Sequence, residues 1–205
     1  GDEQDEKILI EDLKAAKRAA ARIGLDLKSL VFPWNYFNES CISACFKAGV
    51  ESFRGSKDIF DWGPMKNLSA NHMVNKVKRT LESYLPFSNS HTFDLKSVSK
   101  SFPYNIPHSR FLKPYSRRLR FLEPLKIQKI KSDLNYAART GSIYHIYFHP
   151  HNFGVNQEKN MGMFKVIAEH FAELSEKYGM KSMNMMEVAN SAKNYASRNN
   201  SIDGV

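Results

Sequence analysis

Two short apolar runs, LKSLVF at 27–32 and VESFRG at 50–55, flank a stretch at 39–48 that reads as a helix and stops at Gly49. The runs have strand length and composition, and Pro33 closes the first because it cannot continue a hydrogen-bonded ladder. About 17 residues separate them, far more than a hairpin uses, so the order calls for a parallel pair with a right-handed crossover. Parallel strands are covered on both faces, which commits the chain to alternating strands and helices.

The rest of the chain fits that alternation. Residues 5–23 place Ile8, Ile10, Leu13, Ala16, Ala20 and Ile23 near helical spacing, with Gly24 as the stop. A helix is expected from about Ser69 to Tyr84, with Met73, Val77, Leu81 and Tyr84 inward. Short strand candidates lie near 92–98, and a long helix runs from Ser116 or Pro124 to Thr140, ended by Gly141. A helix from about Glu158 to Tyr178 stops at Gly179; KSMNM reads as a short strand, EVANSAKNYAS as a final helix and NNSIDGV as a frayed tail.

Composition supports a core, at 42% apolar residues in 205. No run approaches the roughly 18 to 20 apolar residues of a membrane helix, and the acidic opening GDEQDEK lacks the basic and apolar regions of a signal peptide. The compartment stays open. Cys41 and Cys45 stand one helical turn apart and read as small buried apolar residues rather than a redox or metal motif.

The net charge is +9, which raises nucleic acid, anionic glycan or a membrane surface as partners. The excess is concentrated at Arg110, Lys113, Arg117, Arg118, Arg120, Lys126, Lys129 and Lys131, against the single acid Glu123. This stretch reads as a solvated helix face, without the interleaved aromatics of a single-strand binder.

SIYHIYFHPHNFG at 142–154 sets three histidines in an apolar run. Both alternating faces are bulky, as in a parallel strand buried on both sides, and the strand's carboxyl end falls at His149. His145 and His149 would lie roughly 13 Å apart on an extended strand, too far to share an ion. His149 and His151 could reach one metal, but the neighbouring sequence offers no third ligand. His145 is therefore expected in the core, and His149 at a strand end suits acid or base work.

Taken in order, LVFPWNYFN, ESFRG, SRFLKPYS, KIQKIKSDLNYAARTG, YFHPHNFG and KYGMKSMNMMEVA resemble the carboxyl-terminal half of polysaccharide deacetylases of the NodB-homology class, over nearly the whole chain. The resemblance implies an α/β fold, a partial or distorted (β/α) barrel with its amino-terminal strands missing. Residues 1–190 would form the carboxyl-terminal part of that barrel and 191–205 a helix end and tail. It also implies hydrolysis of the acetamide of N-acetylated sugars, with a divalent metal, usually zinc, and an aspartate base. His149 matches the family's late catalytic histidine. Trp34 and Asn35 match the substrate-groove loop, although relatives often carry Arg where Trp34 stands. Arg54, Asp61 and Trp62 (the last two within DIFDW), with His151 and Asn152, are implied to line the sugar groove.

The family's Asp-Asp pair and its helical His-x-x-x-His pair, which supply the base and the metal ligands, do not occur here; His145 and His149 have that spacing, but in the strand-like run 142–149. No metal is therefore expected on this chain alone, and it is expected to be inactive by itself. A barrel cut in this way would expose a strand edge near LKSLVF, to be covered by self-association or by a missing amino-terminal part. The alternatives are a non-catalytic glycan-binding or assembly module and, least favoured, a basic nucleic-acid-binding domain centred on 110–131.

Overall fold

The computed structural model describes residues 2–35, 37–55 and 91–200. They are mostly helical, with a few short parallel strands, a mixed α/β arrangement divided between two compact units.

The first unit takes residues up to 55, then 95–107 and 183–200. Helix α1 (Asp2–Ala21) leads to β1 (Ser29–Val31), a 3-10 turn at Pro33–Asn35, α2 (Glu39–Lys47) and β2 (Ser52–Arg54). The turn after α1 needs a positive φ, and Gly24 supplies it at 76°. Asn38 starts α2 by accepting the Cys41 N–H at 2.9 Å through its side-chain oxygen. As the sequence demanded, β1 and β2 pair in parallel, with Leu30 opposite Phe53. A third parallel strand, β3 (Tyr104–Asn105), joins the other side of β2. Helix α3 (Leu95–Val98) precedes β3, and α7 (Met185–Asn200) packs on both α3 and β2. Phe32, Phe37 and Phe53 form one ring cluster with centroids 5.2 to 5.9 Å apart, around buried Cys45 and Val50. Burying a side chain such as Phe53 contributes about 2 to 3 kcal/mol, so this cluster is the main reason the β1–α2–β2 segment closes.

The second unit takes 91–94 and 108–182 among the described residues. Strand β4 (Arg110–Phe111) pairs in parallel with β5 (Ile146–Tyr147). A 3-10 segment (Arg117–Leu122) runs directly into α4 (Glu123–Thr140), and α5 (Pro150–Gly154) and α6 (Gln157–Tyr178) follow β5. Leu112, Ile130, Leu134, Phe153, Met163, Ile167 and Leu174 form its apolar core.

The described strands form two separate sheets, and no closed barrel is shown among them. Several local expectations need correction. The 142–149 run is not buried on both faces. Only Ile146–Tyr147 are ladder-paired, residues 142–147 are half-buried, and His149 is exposed at the start of α5, where Pro150 occupies the first helical turn. His145 is half-buried rather than fully in the core, its N–H donating to Ser109 Oγ at 2.9 Å. Near 92–98 there is a single bridge, Phe93 to Ile143, and then α3. KSMNM forms no strand. Asn184 caps α7 instead, accepting the N–H groups of Met186 and Glu187 at 3.0 Å while Glu187 accepts the Asn184 N–H at 2.7 Å. Cys45 is buried, but Cys41 only partly. The helix expected at 69–84 lies outside the described residues.

The basic stretch departs most from its expected solvated face. Lys126 is 1% exposed and Lys129 2%, and Arg110 is also buried. Lys126 and Lys129 share the inward stripe of α4 with Ile130, Asp133, Leu134 and Ala137, and Arg110 meets it from β4, so ion pairing inside the unit overrides the usual preference of charge for water.

Candidate functional site

Parallel strands carry ligand-handling groups at their carboxyl ends, and each unit gathers candidate residues there. In the first, Val31 of β1 lies opposite Arg54 of β2. One residue after the Pro33–Trp34 dipeptide, Asn35 adopts a left-handed conformation at φ 54°. That turn brings its side chain back to β2, where Arg54 donates from Nε at 3.1 Å and from Nη2 at 2.9 Å to Asn35 Oδ1. Gly55 follows, and a Cβ there would overlap the side chain of Asn105, the last residue of β3. The absence of a side chain at Gly55 is thus what lets the Asn105 amide lie over the strand end. Asn35 and Arg54, both expected in the sugar groove, do meet; Trp34 is in the same turn. Asp61 and Trp62 lie outside the described residues.

In the second unit the carboxyl ends of β4 and β5 carry a continuous row of rings. Tyr147 packs edge-on to His108 at 5.5 Å and tilted to Phe111 at 5.2 Å. Phe111 reaches His149 at 5.4 Å, and His149 stacks on His151 at 5.4 Å with 14° between planes. The stacked imidazoles are exposed, whereas Phe111 and Tyr147 are half-buried beneath them. The short turn of α5 makes the stacking possible, because the Asn152 N–H returns to the His149 carbonyl at 3.0 Å. His149, His151 and Asn152, expected together, are together.

Two groups of residues missed in the sequence hold this row in place. Asn160, fully buried at the start of α6, accepts the Tyr115 N–H at 2.6 Å and donates to the carbonyls of Phe153 at 3.2 Å and Val155 at 2.7 Å. It ties the loop after β4 to the turn after β5. Beneath the strands, Asp133 is 0% exposed and pairs with Lys129 at 2.6 Å and Arg110 at 3.4 Å. Lys126 pairs with Glu123 at 2.6 Å and donates to the Lys113 carbonyl at 3.0 Å. Burial lowers the Lys126 pKa against the opposing effect of Glu123. Burial also lowers that of Lys113, with the charges of Lys126 and Arg110 adding to it. The Tyr144 hydroxyl is pushed up by burial. The helical spacing of Lys126, Lys129 and Asp133 with Ile130 and Leu134 was the available signal for the charged group.

The zinc implied by the resemblance does not fit the described residues. They contain no group of three or more His, Cys, Asp or Glu able to hold a metal ion. What they offer is an exposed imidazole pair backed by aromatic faces, able to stack on a ligand. No protein-family model matches the chain, and neither a curated protein nor a solved structure shows significant similarity to it.

Proposed function

We propose that this chain handles a glycan of N-acetylated sugars, as the acid-bearing part of a hydrolase of the polysaccharide deacetylase class whose complete scaffold is a distorted (β/α) barrel. The observation that carries the reading is the ring row Tyr147–Phe111–His149–His151 at the carboxyl ends of two parallel strands. Aromatic faces pack on the C–H faces of sugars, and amide side chains such as Asn152 offer both a donor and an acceptor to hydroxyls. In this reading water adds to the acetamide carbonyl carbon and, as the C–N bond breaks, His149 gives its proton to the amine nitrogen, leaving acetate and the free amine. His151 and Asn152 hold the sugar; the resemblance also assigns Trp34, Asn35, Arg54, Asp61 and Trp62 to glycan contact.

In the complete domain, supplied with zinc, release of free amine from an N-acetylated oligosaccharide measures the reaction. His149→Ala is expected to lower kcat by about 100-fold to 10,000-fold with little change in KM. A wild-type rate in that variant removes His149 from the role of acid. The second reading, a glycan-binding module without catalysis, draws on the same rings; saturable oligosaccharide binding with no amine release at any zinc concentration selects it.

A further inference from the structure

The basic stretch is split by burial. Arg110, Lys126 and Lys129 face inward, whereas Arg117, Arg118 and Arg120 are exposed on the 3-10 segment ahead of α4. Among the described residues, none of these three guanidinium groups makes an ion pair or hydrogen bond to another residue. The nearest acid in sequence, Glu123, is buried against Lys126 at 2.6 Å and does not neutralise them. Beside them Phe121 is 70% exposed, among the most exposed large apolar side chains of the protein. Three unpaired positive charges around one protruding phenyl ring make an uncovered surface whose partner is anionic and has an apolar layer within reach.

We propose that Arg117–Phe121 is a peripheral docking site for an anionic lipid surface, independent of the glycan reading. The Arg side chains reach lipid phosphates, and Phe121 enters the boundary between headgroups and acyl chains. Nucleic acid fits less well. Four steps of 3-10 helix span about 8 Å, and single-strand binders use longer grooves with several stacking rings. The buried Arg110, Lys126 and Lys129 cannot extend the track. No helix among the described residues is long and apolar enough to cross a membrane, so contact through this segment is at the surface.

Co-sedimentation with phosphatidylcholine vesicles, with and without phosphatidylglycerol, tests the proposal. Binding is expected to the anionic vesicles only and to weaken with salt. Each Arg→Ser replacement at 117, 118 or 120 should reduce it roughly fivefold, and all three together about 100-fold. Phe121→Ser should also weaken it. All four positions are exposed, and an unchanged circular dichroism melt verifies that each variant is folded. Equal binding to both vesicle types, no binding to either, wild-type binding by the triple variant, or retention on a single-stranded oligonucleotide without vesicle binding overturns the proposal.

Discussion

Asp133→Ala should destabilise the protein by about 3 to 5 kcal/mol, the scale for breaking a buried ion pair by removing one partner. The carboxylate is 0% exposed and lies 2.6 Å from Lys129 and 3.4 Å from Arg110. Its removal leaves two buried cations without that compensation, so most of the cost is their desolvation rather than a lost contact. A domain is typically stable by about 5 to 15 kcal/mol, so the variant loses a large share of the total. Urea unfolding shows this as a lower midpoint. Asp133→Leu combined with Lys129→Met should recover part of the loss, because two of the three charges then leave the interior together. If Asp133→Ala unfolds at the wild-type midpoint, the buried charge group does not support the second unit.

Asn160→Leu should cost about 3 kcal/mol or more, since each buried backbone group left unmatched costs about 1 to 3 kcal/mol. Leucine keeps the branched shape of asparagine but is bulkier and cannot hydrogen-bond, so the loss combines crowding with the unmatched Tyr115 N–H and the Phe153 and Val155 carbonyls, which Asn160 satisfies at 2.6, 3.2 and 2.7 Å. The Tyr115 amide should exchange with solvent much faster in the variant. Asn160 joins the loop after β4 to the turn that carries His151, so sugar affinity should fall as well, making it a positioning residue. An unchanged Tyr115 exchange rate with unchanged stability would count against this role.

Much of the local architecture was legible because it depends on local chemistry. The β1–α2–β2 unit announced itself through two short apolar runs, Pro33 and Gly49, and the helix ends through Gly24, Gly141 and Gly179. The meeting of His149, His151 and Asn152 followed from their closeness in sequence. The KSMNM strand failed because Asn184 and Glu187 make a capping box, a side-chain signal stronger than the apolar run. The buried Lys126 and Lys129 were read as solvated because charge type was weighed above helical spacing. Asn160 was invisible for a different reason. Its partner Tyr115 is 45 residues away, and nothing local marks an asparagine as a tie between two loops.

The central claim is that a sugar occupies the ring row at the carboxyl ends of β4 and β5. Titrating the isotope-labelled protein with an N-acetylglucosamine oligomer, while following the histidine ring signals by NMR, tests it most directly. His149 and His151 should shift together and saturably, and His170, held to Glu173 on α6 at 3.1 Å, should stay in place. Ring signals of His149 and His151 that do not move, or that move no more than that of His170, would contradict the account.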